Sequence, residues 1–389
     1  MLARISRRKQ MLKVIEMTGA EYKKIVAIVK SLYIGPYMPM FQYVQVHAVE
    51  GGVEFRVSNS EEDIRIFVAY DHSDHDDLDH TFGIPMDVFC GLKCGVKERV
   101  IINEGSLSAA GVSVGYNVLP ECECPDSIIW VDSTWRDYPD LRFVGVADGF
   151  TDRGHDKFCW INVYEDCVGI HATESHVLYA VNHSPKKVVA GSIRCQVGKV
   201  MNHATNASEY SISDTCWRIC DPCSIRGLER LSWEYRGKLH KASVPNIDRV
   251  IDANKAHPGG SIKLRFNQEC IRHMQGMCTQ LVKLGMPRKH GHLSGAVRLS
   301  TVAGSIYCKV EYVALDGRDV SYSVDIPMLR AADVSISCGY DIDHWGTCVN
   351  SIISAGDIEF TYDSEYPDEC GTIIRSIAAV VILMPYKLK

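Results

Sequence analysis

Tyr43-Val44-Gln45-Val46-His47-Ala48, the pair Gly51-Gly52 and Val53-Glu54-Phe55-Arg56-Val57 alternate apolar with polar residues on both sides of a glycine turn. That pattern predicts a β-hairpin. Upstream, residues 18–33 set Tyr22, Ile25, Val26, Val29, Leu32 and Tyr33 at the i, i+3, i+4, i+7 spacing of an amphipathic helix. Downstream, Ile64-Arg65-Ile66-Phe67-Val68 alternates again after an acidic turn, so the order is helix, hairpin, strand.

The order returns in the last third of the chain. Residues 267–284 place Ile271, Met274, Cys278 and Leu281 on one helical stripe, followed by Val297-Arg298-Leu299, a turn at Gly304, and Ile306-Tyr307-Cys308-Lys309-Val310. A middle copy starts at Pro139, a residue suited to a first helical turn, and runs through Leu141, Val144 and Ala147. Strands over 159–163 and 168–173 follow it, about a turn at Glu165-Asp166. Each copy has a second half that opens with a short helix, predicted at 85–93, 192–201 and 341–353, the last with Ile342, Trp345, Val349 and Ile352 on its stripe. Hairpin turns at Gly51, Asp166 and Gly304 imply three domain-sized repeats. Their expected extents are residues 1–126, 127–252 and 253–389.

Composition bounds the class. The chain has 389 residues, 46% hydrophobic and 23% charged, enough for several separate cores. Its longest apolar run, residues 377–384, is far below the ~20 residues of a membrane helix. Residues 1–14 carry Arg4, Arg7, Arg8, Lys9 and Lys13 without the apolar core of an export signal, so the expectation is a cytoplasmic protein without a membrane partner. The 16 cysteines are scattered through a long sequence and read as reduced thiols, mostly buried. A net charge of −6 excludes an all-round basic surface but not a basic face. There is no phosphate loop, nucleophile elbow, His-Glu-x-x-His or dinucleotide fingerprint, so no enzyme class is indicated, and neither catalytic residues, cofactor nor metal is expected.

Two further stretches carry a resemblance. His171-Ala172-Thr173-Glu174-Ser175-His176-Val177-Leu178 is similar to an Ala-Thr-Asp-Gly-His-Arg-Leu strand and loop, and Ile382-Leu383-Met384-Pro385-Tyr386-Lys387-Leu388 to a Val-Met-Pro-Met-Arg-Leu ending. Both belong to the bacterial DNA polymerase III beta-subunit (sliding clamp) family, which the chain resembles over nearly its whole length. Ser175 stands where that family has glycine, Val177 where it has arginine, and one residue, Lys389, follows the leucine, marks of a divergent member. The resemblance implies an α+β fold of three similar DNA-clamp domains, with antiparallel sheets outside and helices lining a ring of two chains. It also implies a non-enzymatic processivity factor for DNA replication that encircles double-stranded DNA and tethers DNA polymerase and clamp loader through short peptide motifs.

A ring that slides must attract phosphates without reading bases. Lys23, Lys24 and Lys30 on the first helix, and Arg272 and Lys283 on the helix of the third repeat, share polar faces suited to that. Lys93, Arg142, Arg194 and Lys199 are expected on the remaining helices, with Arg288 and Lys289 in a following loop. The resemblance further implies a partner-peptide groove lined by Thr173, Ser175, His176, Val177, Leu178, Val250, Ile382, Met384, Pro385, Tyr386 and Leu388. Ring closure is expected to use Tyr116, Val118, Leu281 and Leu284.

Rival readings rest on local clusters. Cys216, Cys220 and Cys223 hold one Cys-x-x-Cys pair, and Cys122-Glu123-Cys124 lies upstream, so a zinc or redox protein is the alternative, but the second pair of a zinc ribbon is absent. Residues 71–80, rich in Asp and His, read as a solvated acidic loop. A β-rich interaction protein that ignores DNA is the third class.

Overall fold

Thr18 is the last residue of a strand and the cap of a helix. Its hydroxyl accepts from the Glu21 amide (3.2 Å) while the Glu21 carboxylate accepts from the Thr18 amide (2.8 Å), a reciprocal capping box. In this computed structural model the described residues are 14–32, 42–70, 81–120, 134–138, 142–152, 159–165, 169–182, 188–194, 197–223, 226–242, 246–254, 260–283, 288–289, 292–293, 295–314, 321–352, 356–377 and 379–386.

Strand, helix and three-strand meander form a unit that occurs six times among them. The first unit is β1 (Ile15–Thr18), α1 (Gly19–Val29), β2 (Tyr43–Val49), β3 (Gly52–Ser58) and β4 (Glu62–Ala69). The second is β5 (Thr81–Pro85), α2 (Met86–Gly91), β6 (Arg99–Asn103), β7 (Ser106–Ala109) and β8 (Val112–Gly115), with a short β9 (Leu119–Pro120) after it. The third is β10 (Arg136–Tyr138), α3 (Arg142–Ala147) continued by a 3-10 turn (Asp148–Phe150), β11 (Trp160–Tyr164), β12 (Ile170–Thr173) and β13 (Val177–Val181). The fourth is β14 (Val189–Arg194), α4 (Gly198–Met201), β15 (Glu209–Ile212), β16 (Cys216–Asp221) and β17 (Leu231–Lys238). After α5 (Ile247–Ala253) comes the fifth, β18 (Ser261–Phe266), α6 (Gln268–Lys283), β21 (Ala296–Thr301), β22 (Tyr307–Val313) and β23 (Ser321–Pro327), with the small pair β19 (Arg288–Lys289) and β20 (His292–Leu293) inserted behind α6. The sixth is β24 (Ile336–Asp341), α7 (Ile342–Asn350), β25 (Ile358–Asp363), β26 (Thr372–Arg375) and β27 (Ala379–Leu383).

Each opening strand pairs with the meander of its sister unit, and all pairings are antiparallel. β5 joins β2-β3-β4 and β1 joins β6-β7-β8. The same exchange relates the third unit to the fourth and the fifth to the sixth. Two of the resulting four-stranded sheets then fuse with a neighbour edge to edge. β4 pairs with β17, from Leu231 opposite Val68 to Gly237 opposite Glu62. β13 pairs with β27, from Val177 opposite Leu383 to Val181 opposite Ala379. The fold is α+β, built from repeated antiparallel sheets with helices.

The chain divides into two compact units. One comprises residues 1–142 and 197–240, the other 143–196 and 241–389. In the first, α1 and α2 meet through Tyr22, whose hydroxyl donates to the Phe89 carbonyl and whose ring tilts against Phe89 at 5.4 Å. In the second, Trp345 of α7 packs between Tyr340 (5.5 Å) and Phe360 (6.2 Å), and Gln275 of α6 donates to the Val349 carbonyl at 2.8 Å. Phe150 stacks on Tyr179 at 5.0 Å.

Three expectations change. The helix expected over 192–201 is confined to Gly198–Met201, because Ser192 and Ile193 pair with Asn162 and Ile161 of β11 and complete that sheet. Arg194 is therefore the last residue of a strand rather than a helix residue. Leu281 is fully buried on the core stripe of α6 with Met274 and Met277, so it does not face a second copy. Of the expected domain boundaries, residue 126 lies outside the described residues and residue 252 falls within α5.

Candidate functional site

Leu178, Ala180, Ile247, Ile373 and Ile382 form one buried apolar cluster, and Val250, Ile251, Val380 and Met384 pack on it half-buried. Residues 178, 250, 382 and 384 thus converge from β13, α5, β27 and the segment after it, with Leu178 and Ile382 inside the core and Val250 and Met384 at its margin. The Asn246 side chain caps α5 by accepting from the Arg249 amide (2.9 Å), which sets the helix carrying Val250. The terminal segment is fixed by its backbone: Met384 N–H donates to the His176 carbonyl (2.9 Å) and Tyr386 N–H to the Gly339 carbonyl (2.7 Å), leaving the Tyr386 side chain 41% exposed. Thr173 is buried, its hydroxyl donating to the carbonyls of Glu174 (2.7 Å) and Val177 (2.8 Å), so it shapes the β12–β13 turn. Val177 is buried opposite Leu383, whereas Ser175 and His176 stand exposed at the turn. Leu388 lies outside the described residues.

Polar chemistry gathers at that turn. The Glu174 carboxylate is 3.2 Å from Nε2 of His344, in the first turn of α7, and 3.8 Å from Nδ1 of His176. The two imidazoles stack at 5.2 Å, 14° from parallel, and Asp341 lies 3.7 Å from Nδ1 of His344. Burial works against charge on His344, but its hydrogen bond to Glu174 and the nearby carboxylates of Glu174, Asp341 and Asp343 outweigh it and raise its pKa. Burial alone would raise Glu174; His344 and His176 reverse this and hold it below its ordinary value.

The fold built by these strands, helices and sheet pairings has counterparts among solved structures. The sliding clamp of Bacillus subtilis superposes with a TM-score of 0.67 at 11% identity, over 97% of this chain and 100% of that one. A DnaN clamp from Bartonella birtlesii bound to griselimycin gives 0.65 at 14% identity, with the same coverage. The Helicobacter pylori beta clamp bound to a DNA ligase peptide gives 0.66 at 11%, over 96% of this chain and all of that one. This chain has the fold of the bacterial sliding clamp. No protein-family model and no curated protein matches the sequence.

Within the clamp fold, the expected basic residues fall largely on helices. Lys23 is exposed on α1 and Lys30 at its C-cap, Lys199 on α4 and Arg272 on α6, and Lys93 is exposed just beyond α2. Lys24 is half-buried and donates to the His203 carbonyl at 3.4 Å, so part of its charge serves the fold. Arg142 opens α3 and Lys283 ends α6, Arg194 is exposed at the end of β14, and Arg288 and Lys289 form β19.

The clamp fold also leaves two four-stranded sheets unfused, β1-β6-β7-β8 and β23-β22-β21-β24. Among the described residues nothing pairs with the outer edge of β8 or of β23. Tyr116 follows β8, its hydroxyl donating to the Asn103 carbonyl (2.7 Å), with Val118 beside Gly105. Leu284 lies outside the described residues. Sequence reasoning named Tyr116 and Val118 and expected edge strands at that contact, without giving the bounds of either edge. It also left out Glu174 and His344 as site residues, although Glu174 sits in the quoted turn and His344 three residues after the helix cap Asp341.

The alternative reading of the cysteines gains nothing from the geometry. Cys216 and Cys220 lie four apart on one strand, about 13 Å along it, too far to share one ion. Burial pushes Cys220 up to about 11 and Cys223 up to about 12, which keeps both as thiols rather than reactive thiolates. Residues 71–80, Cys122 and Cys124 lie outside the described residues. No helix among the described residues is long and apolar enough to cross a membrane.

Proposed function

We propose that the chain is a DNA sliding clamp: three repeats, near residues 1–126, 127–252 and 253–389, with two copies closing head to tail around duplex DNA. The observation that carries this is the sheet arithmetic. Two pairs of four-stranded sheets already fuse within the chain, at β4·β17 and β13·β27, and the remaining pair ends in open edges at β8 and β23. Pairing β8 of one copy with β23 of another repeats the same junction and hides backbone donors that would otherwise invite aggregation. Tyr116 and Val118 lie at that closure.

Residence on DNA then comes from encirclement, so the protein needs only diffuse attraction to phosphate. Lys23, Lys30, Lys199 and Arg272 supply it from exposed helix faces, with Lys24, Lys93, Arg142, Arg194, Lys283, Arg288 and Lys289 as further members. The groove of Leu178, Val250, Ile382, Met384, Pro385 and Tyr386, rimmed by Ser175 and His176, takes an extended peptide from a polymerase or a loader, its apolar floor holding an aliphatic or aromatic anchor. The solved Helicobacter pylori clamp bound to a DNA ligase peptide shows that a protein of the same fold takes a peptide partner. The chain performs no chemistry of its own in this reading.

The test is retention on circular DNA. Loaded on a nicked circle, the protein stays bound and is released when the circle is cut to a linear fragment. Equal loss from both would refute encirclement. Lys23→Ala, Lys30→Ala, Lys199→Ala and Arg272→Ala combined should weaken loading and flatten its salt dependence, and unchanged salt dependence would remove these helices from the DNA path.

A further inference from the structure

Glu174, His176 and His344 bring three donor atoms of the ligand type favoured by borderline metal ions within 4.8 Å of one another. His176 and His344 are 168 positions apart in sequence, so no turn or helix periodicity places them together; the third and sixth units do. The separations from the Glu174 Oε1, 3.2 Å to His344 Nε2 and 3.8 Å to His176 Nδ1, bracket the edge of about 3.3 Å that a tetrahedron with metal–ligand bonds of about 2.0–2.1 Å requires.

The frame behind these donors is fixed. The Glu174 amide donates to the Val177 carbonyl at 3.1 Å, closing the turn, and the Asp341 carboxylate caps α7 by accepting from the amides of Asp343 (2.9 Å) and His344 (3.3 Å). Asp341 Oδ1 also faces Nδ1 of His344 at 3.7 Å. That is beyond hydrogen-bond distance, and an approach of about 0.7 Å would let the carboxylate orient the imidazole through its other nitrogen. His176 is the mobile member: its side chain is 61% exposed and its Nδ1 is hydrogen-bonded at 2.8 Å to the exposed Ser175 hydroxyl, which rotates away at little cost. The stacked rings need a rotation of His176 so that both in-plane lone pairs meet at one point.

We propose that Glu174, His176 and His344 bind one divalent ion of the zinc, cobalt and nickel class, with Asp341 as the outer carboxylate. Two imidazoles and a carboxylate suit these ions over calcium or magnesium, which take oxygen ligands. The remaining coordination position faces solvent at the β12–β13 turn and is filled by water. Cys348, one turn beyond His344 on α7, is not among the donors that converge, so the set is nitrogen and oxygen without sulfur.

Cobalt titration of the full-length protein tests this, with zinc as competitor. The expected result is one high-affinity cobalt per chain, displaced by zinc, with ligand-field absorption and no thiolate-to-cobalt charge-transfer band. His344→Ala and Glu174→Gln should each cost more than the ~10–100-fold that an outer carboxylate is worth, and Asp341→Asn, which keeps the helix cap, should fall in that range. Circular dichroism establishes that each variant is folded. A charge-transfer band, an affinity unchanged in His344→Ala and Glu174→Gln, or no cobalt bound by the unaltered chain would each overturn the proposal.

Discussion

Glu21 shows how much one side chain does in this fold. It is 2% exposed, completes the capping box with Thr18 and receives Nε and Nη2 of Arg230 at 3.1 and 2.9 Å. Glu21→Ala removes a cap and leaves that guanidinium without its carboxylate, an expected loss of about 2 kcal/mol. Urea denaturation measures it, and Glu21→Gln should recover part of the loss. His47 is held neutral by its surroundings. Burial, with Arg56 and Arg65 adding repulsion, lowers its pKa to about 4, and Thr81 and Gln45 bond to its ring at 2.8 and 3.2 Å. Its folded value lies below the unfolded one, near 6.5, so the unfolded chain takes up the proton first. Stability is full above about pH 6.5 and declines toward pH 4; His47→Gln should flatten that decline in denaturation curves recorded between pH 7 and 4.

At the scale of elements, the hairpin that decides the repeat is also the place where glycine matters most. Gly51 sits at φ +77° with open space around it, whereas a Cβ on Gly52 would lie 2.2 Å from the Val68 carbonyl oxygen across the β3–β4 ladder. Gly51→Ala should cost about 1 kcal/mol, from the left-handed backbone alone, and Gly52→Ala about 2 kcal/mol or more, because the ladder itself must move. Thermal melts of the two variants rank them. Elements of this kind were legible in the sequence because period and punctuation agree: α1, the β2–β3 hairpin and α6 lie within a few residues of their expected positions. The segment 192–201 was not, since Ser192 and Ile193 answer to β11 rather than to their own neighbours. Leu281 misled for a related reason, its place on a helical stripe being equally consistent with a core face and a contact face. The Glu174–His344 pairing has no signature in either local sequence, because it exists only once the third and sixth units are joined through β13 and β27.

At the scale of the whole molecule, the open edges make the sharpest forecast. Tyr116 N–H donates inward to the Gly105 carbonyl, so by antiparallel alternation Ser113 directs its N–H away from β7. Ser113→Pro should leave the β6–β7–β8 ladder intact and convert the proposed dimer to monomers, read by sedimentation equilibrium. A dimer that persists at the same affinity would move the closure away from β8.

The fused sheets carry a mechanical corollary. Where β4 meets β17 and β13 meets β27, the two sides of each seam are tethered by one continuous polypeptide, so a rupture there is intramolecular and re-forms at high effective concentration. A seam made by β8 and β23 of separate copies has no such tether. If the proposed closure holds, a loader that needs a gap wide enough to admit a duplex would find its gate there, at the one seam that no covalent tether re-forms.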